Sequence, residues 1–233
     1  MAEKAARRHA NQHCRTITAE EMETAANYDA WYQTPRGHWI GDREFRLLWN
    51  MIQPKTGEAL LDVGCGSGYF SQRFSDHGIG VIGVDIDDEM VAYARKKHSN
   101  LRCLAGSALA LPFHDKAFDH VAAVASLCFI DCPQCALAEM WRVSRKTVTL
   151  GLLNRHSLLF REKSGRGGYA GARWDTVGEI RRKWLLGLFP EPAGINIRFA
   201  IFFHQGGSLA RWMERLLPSR LPWGSFLAVT LRK

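Results

Sequence analysis

From residue 59 to residue 154 the chain alternates short apolar runs with helix-like segments, and this rhythm restricts its fold more than any other feature. ALLDV (59 to 63) reads as a strand, and a helix with Phe70 and Phe74 on one face follows at Gly68. GVIGVD (80 to 85) is a second strand. DDEMVAYARKKH (87 to 98) is a helix with Asp87 placed to cap its start and basic residues at its end. LRCLAG is a third strand, DHVAAVA (119 to 125) a fourth, PQCALAEMWRV a helix and TVTLGLLN (147 to 154) a fifth strand. Strands that alternate with helices need crossovers, so the expected core is a parallel sheet covered on both faces.

Past residue 155 the rhythm changes. GRGGYAGAR (165 to 173) is a glycine-rich basic loop, and DTVGEIRRKWLLGLF has the pattern of an amphipathic helix. INIRFAIFF (195 to 203) alternates strictly, and SFLAVTLRK (225 to 233) puts Leu227, Val229 and Leu231 on one side. These predict two late strands, paired antiparallel, joined by a short helix around LARWMERLL.

A chain of 233 residues that is 46% apolar can bury one substantial core. Its longest apolar run, Val121 to Ile130, is about half of the ~20 residues a membrane-spanning helix needs. The basic start, MAEKAARRHANQHCRT, has no apolar segment behind it and does not read as a secretory signal. The expectation is a cytoplasmic protein with a flexible basic leader at 1–24 and one domain at 25–233. Charge is uneven: residues 151–233 hold 14 Lys and Arg against 5 Asp and Glu, whereas the first 150 are nearly balanced.

The chemistry concentrates in LLDVGCGSGYF. Gly64, Gly66 and Gly68 directly follow a strand and open a helix, where glycine lets a ligand approach the backbone at a helix N-terminus. The spacing is G-x-G-x-G, with Tyr69 where a dinucleotide-binding loop would place its last glycine. Asp85 ends the second strand, placed to accept hydrogen bonds from both hydroxyls of a ribose.

LLDVGCGSG, GVDIDDEM, AGSALALPF and FDHVAAVASLCFIDCP resemble, in order, the motifs of class I S-adenosylmethionine-dependent methyltransferases, in the broad branch that includes ubiquinone/menaquinone-type and many small-molecule enzymes. The likeness covers about residues 25 to 155. It implies a Rossmann-like α/β three-layer sandwich whose seven-stranded, mostly parallel sheet ends in an antiparallel strand, and S-adenosylmethionine as cofactor with no metal. By the resemblance, Asp62 and the loop from Gly64 through Cys65 and Gly66 to Gly68 lie under the methionine part, Asp85 grips the ribose, and Ile86 and Met90 flank the adenine. Ser107, followed by Ala108 and Leu109, stands where related proteins often carry Asp. Ala125 and Ser126 close the site from the fourth strand. The segment 25–46 corresponds to a lid with Tyr28, Trp31 and Tyr32, and 155–190 to a variable, substrate-facing insert.

CFIDCPQC (128 to 135) carries three cysteines at C-x3-C-x2-C, the spacing by which radical enzymes hold an iron-sulfur cluster. Gln134 stands where such enzymes often have an aromatic residue, and a second cofactor system would be redundant, so the expectation is free thiols in a loop. The alternative is that Cys128, Cys132 and Cys135 serve a thiol or metalloid acceptor. Candidate bases are His38, His156 and Asp131. The basic last third offers Arg155, Arg161, Arg166 and Arg173 to an anionic small molecule, or the surfaces RRKWLLGLF and LARWMERLLPSRLPW to a membrane and a lipid- or quinone-like acceptor. ASLCFI after the fourth strand lacks the N-P-P-[FY] signature of nucleic-acid amine methylation, which argues against a nucleic-acid partner. A cofactor-binding regulator without catalysis is the remaining alternative.

Overall fold

The structure, a computed structural model, describes residues 19–233, with side chains from residue 25 onward. Helix α1 (Ala19–Gln33) begins inside the stretch expected to be a leader; the rest of that leader, residues 1–18, lies outside the described residues. Thr34 caps α2 (Pro35–Ile52), its hydroxyl accepting from the Gly37 N–H. The alternating segments form β1 (Ala59–Val63), α3 (Tyr69–Asp76), β2 (Gly80–Asp85), α4 (Asp88–Lys97), β3 (Arg102–Ala105), β4 (Phe118–Val124), α5 (Pro133–Val143) and β5 (Ser144–Leu153). Asp87 caps α4 through bonds from the Glu89 and Met90 N–H groups, as its position predicts.

The seven strands make one sheet in the order β3-β2-β1-β4-β5-β7-β6. The first five are parallel, and β7 (Phe226–Arg232) runs antiparallel between β5 and β6 (Gly194–Ala200). Both faces are covered. Leu61, Val63, Val121 and Leu150 pack under α5 with Met140 and Trp141, whereas Leu60, Val81 and Ala122 pack under α2 and α3 with Phe45, Leu48 and Phe74. Because β1 pairs with both β2 and β4, the chain leaves β1 in one direction and returns on its other side. That reversal opens a crevice at the C-terminal ends of these strands, where open α/β sheets bind ligands.

Two late segments depart from their sequence pattern. The amphipathic helix expected over DTVGEIRRKWLLGLF is one short turn, Val177–Glu179, continued as a π-helix from Ile180 to Trp184; Thr176 and Glu179 cap its start reciprocally. β6 stops at Ala200 although the alternation runs on to Phe203, because Ile201 takes a left-handed φ of 62°. The freed N–H groups of Ile201 and Phe202 are caught by the fully buried carboxylate of Glu214, at 2.7 and 2.9 Å, on α7 (Ser208–Leu216). A short α6 (Leu158–Lys163) precedes the glycine-rich loop. No helix among the described residues is long and apolar enough to cross a membrane.

Candidate active site

Between β1 and α3 the chain turns on three left-handed glycines, with φ of 75° at Gly64, 53° at Gly66 and 81° at Gly68. Gly64 is also bound by space, since an added Cβ would sit 2.2 Å from the Ser126 Cβ. At Gly66 the same atom would meet only the Tyr28 ring, at 3.9 Å, so the backbone there faces open room. Asp85 at the end of β2 ties the loop to α4: its Oδ2 accepts from the Gly66 N–H at 2.7 Å and its Oδ1 from the Asp87 N–H at 3.0 Å. Burial raises its carboxyl above the usual range, with those N–H bonds opposing. Asp62, on β1, is buried and accepts the Ser71 hydroxyl at 2.6 Å. Burial pushes it up to about 6; the Ser71 bond opposes this and neighbouring Asp85 adds to it.

Asp62, Gly64, Gly66 and Asp85 line a cavity of about 530 Å³. Tyr28 and Tyr32 roof it from α1, their hydroxyls 3.4 Å apart, with Tyr32 stacked on Tyr69 at 3.8 Å between ring centroids. Cys65, Gly64, Gly66, Met90, Ala108, Ala125 and Ser126 reach the wall; Ile86 and Leu109 stand exposed at the rim. Ser126 Oγ donates to the Val63 carbonyl and Ser107 Oγ accepts from the Leu109 N–H, at 2.8 and 3.2 Å. Ala125 takes a φ of 53°, a strained value for a residue with a Cβ. Gly68 does not line the cavity; its Cα faces His98 and Leu101 of the neighbouring element. Of the base candidates, Asp131 reaches the cavity mouth, while His38 and His156 are exposed at the surface and do not line it.

A second cavity, about 630 Å³, meets the first at Tyr28, Tyr32, Ala125 and Phe129. Arg36, Ile40 and Glu44 face it from successive turns of α2, and the glycine-rich loop contributes Arg166 and Tyr169. Glu44 escaped the sequence reading, which named only His38, His156 and Asp131 as candidate bases. Its signal was the four-residue spacing from Arg36 and Ile40, legible only once residues 35–52 are known to be one helix.

The cysteine motif does not hold three free thiols. Cys132 and Cys135 form a disulfide across the first turn of α5, where residues three apart are neighbours. Cys128 is buried, its Sγ donating to the Ala125 carbonyl, and burial pushes the thiol up to about 12. Among the described residues no group of three or more His, Cys, Asp or Glu is arranged to hold a metal ion. Two of the expected anion contacts are engaged elsewhere: Arg155 donates to the Trp174 carbonyl and Glu179, and Arg173 to the Ile130 and Leu127 carbonyls and Asp175.

Residues 61–150 match the family model described as a methyltransferase domain. Residues 61–150 thus carry a methyltransferase domain. Over 100 residues it is 34% identical to a demethylmenaquinone methyltransferase of Renibacterium salmoninarum, covering 43% of this chain and 42% of that protein. Over 131 residues it is 36% identical to a malonyl-[acyl-carrier protein] O-methyltransferase of Serratia marcescens, covering 55% and 48%. The chain thus spans less than half the length of these curated relatives. An S-adenosylmethionine-dependent methyltransferase of Thermotoga maritima shares the fold, with a TM-score of 0.69 at 23% identity over 91% of this chain and 97% of that one. The methyltransferase domain suits this cofactor on its own geometry. The Gly66 backbone is open to the cavity, and the Ser67 Oγ, on the same wall, is buried without a hydrogen-bond partner among the described residues.

Proposed function

We propose that the whole chain is an S-adenosylmethionine-dependent methyltransferase acting on a small-molecule acceptor, in the cytoplasm, with the first cavity for the cofactor and the second for the acceptor. The observation that carries this is the meeting of the two cavities at Tyr28, Tyr32, Ala125 and Phe129, beside a glycine loop held by Asp85. When bound, the cofactor supplies an electrophilic methyl group on a sulfonium. Methyl transfer is an in-line displacement, so the protein's part is chiefly alignment in a dry space. In this reading Asp62 and the Gly64–Gly66 backbone hold the methionine end, Asp85 exchanges its loop N–H bonds for ribose hydroxyls, and Ile86, Met90 and Ser107 to Leu109 border the adenine. Residues 25–46 act as the lid and 155–190 as the acceptor-facing segment.

Calorimetric titration with S-adenosylmethionine and S-adenosylhomocysteine tests the reading. The expected result is micromolar binding of both, weakened at least about tenfold by Asp85→Ala without loss of the folded state, as one lost charge-assisted hydrogen bond implies. Unchanged affinity in that variant would remove the site assignment.

One observation favours a second reading, in which the acceptor is lipid- or quinone-like and is taken from a membrane surface. Helix α7 is inverted: it buries Glu214 and turns its apolar stripe outward, with Leu209 69%, Trp212 59% and Leu216 65% exposed. Trp223 beside it is 62% exposed, and Arg215 and Arg220 are exposed nearby. An apolar stripe flanked by arginines suits an anionic bilayer. Co-sedimentation with phosphatidylglycerol vesicles that Trp212→Glu abolishes would support this reading; equal recovery of both proteins in the supernatant would end it.

A further inference from the structure

The second cavity holds one acidic group that the fold does not use. Glu44 faces the second cavity from α2, and its field reaches Tyr28, Tyr32, Tyr69 and Tyr169. Among the described residues no hydrogen bond or ion pair satisfies its carboxyl. The contrast within the same molecule is clear. Asp42, two residues earlier, pairs with Arg46 and Arg73; Glu162 pairs with His204, and Glu214 clamps two backbone N–H groups. An unpaired carboxylate inside protein is costly unless a partner arrives.

The walls around it indicate the partner. Tyr28, Trp31, Tyr32, Tyr169 and Phe226 present aromatic surface to the cavity. Aromatic faces with one carboxylate make a site for an organic cation, because ring quadrupole and charge act together where water is excluded. Lys163 and Arg166 also line the cavity, but both are exposed, so solvent and salt screen them more than the half-buried Glu44. Arg36, two turns before Glu44, is held by its Nε on the His204 carbonyl at 2.7 Å and forms no ion pair with Glu44 among the described residues.

We propose that Glu44 anchors the acceptor, and that the acceptor is an amine with an aromatic or apolar body. Burial pushes the free carboxyl up to about 8, as expected of a group waiting for a counter-charge. The inference rests on the assignment of the second cavity to the acceptor, and it names the acceptor's chemical class.

The test is a titration of the full chain, saturated with S-adenosylhomocysteine, with 2-phenylethylamine and its neutral counterpart 2-phenylethanol, followed by calorimetry or ligand-observed NMR. The amine is expected to bind at least about tenfold more tightly than the alcohol, the worth of one charge-assisted contact. Glu44→Gln, which keeps shape and removes charge, is expected to erase that preference while leaving S-adenosylhomocysteine affinity within about twofold. Equal binding of amine and alcohol, no amine binding at millimolar concentration, or a preference that survives in Glu44→Gln would overturn the proposal. So would a large loss of S-adenosylhomocysteine affinity in the variant, which would assign Glu44 to the cofactor instead. Absence of S-adenosylhomocysteine binding by the unaltered protein would strike the methyltransferase reading first, and is read separately in the same titration.

Discussion

At the scale of single residues, the loop after β1 works because of what three positions lack. Gly64 needs a left-handed φ and has no room for a side chain against Ser126. A non-glycine residue in that conformation costs about 1–3 kcal/mol, and the collision adds to it. Gly64→Ala is therefore expected to destabilise the protein by at least about 2 kcal/mol and to weaken cofactor binding. A denaturant titration checks the first effect and calorimetry the second; a variant as stable as the parent would mean that the loop has another accessible conformation. Gly57 makes a useful control. It also takes a positive φ, 86°, but nothing lies within 4 Å of its added Cβ, so Gly57→Ala should carry the strain alone and leave cofactor affinity unchanged.

At the scale of elements, what was legible in the sequence was what local patterning dictates. The five parallel strands from Ala59 to Leu153 and the cap at Asp87 follow from apolar runs and capping chemistry, and Leu227, Val229 and Leu231 do fall on one buried face of β7. The departures lie where tertiary contacts override the pattern. Ile201 and Phe203 continue the alternation of β6, but Glu214, distant in sequence, takes over the backbone donors there. The Cys132–Cys135 bond depends on where α5 starts, and Glu44 became visible only through a cavity built by α1, α2 and the glycine-rich loop. Glu214 gives this scale its prediction. Glu214→Ala strands two buried N–H groups, each worth about 1–3 kcal/mol when unsatisfied, so a loss of about 3 kcal/mol is expected. Glu214→Gln keeps one acceptor oxygen and should lose less. The check is the urea midpoint at unchanged slope; a loss within about 0.5 kcal/mol for the alanine variant would mean that water replaces the clamp.

Across the whole molecule the two ends of the sheet have opposite electrostatic character. At the N-terminal ends of the strands, Glu58 feels some desolvation, but Lys146, the Lys55 N–H and His120 outweigh it and hold the carboxyl at about 2. A depressed pKa contributes stability that is present above the ordinary carboxylate range and is lost as pH falls toward 2. At the C-terminal ends Asp62 and Asp85 are raised, so the folded chain binds protons there more tightly than the unfolded one. The sign reverses: the contribution of Asp62 is present below about pH 4 and is lost as pH rises through about 6. From an ordinary value near 3.8 to about 6, the loss is on the order of 3 kcal/mol at neutral pH. A site that must receive a cofactor thus keeps a carboxylate in a place that weakens the empty fold, as functional sites commonly do. Asp62→Asn keeps the shape and an acceptor for the Ser71 hydroxyl while removing the charge. In urea titrations from pH 4 to pH 8, the difference in stability between the variant and the parent should grow in the variant's favour by about 2–3 kcal/mol, while its cofactor affinity falls. Parallel pH curves for the two proteins would mean that Asp62 titrates normally in the folded chain, and that the cofactor meets a carboxylate already ionised at no cost to the fold.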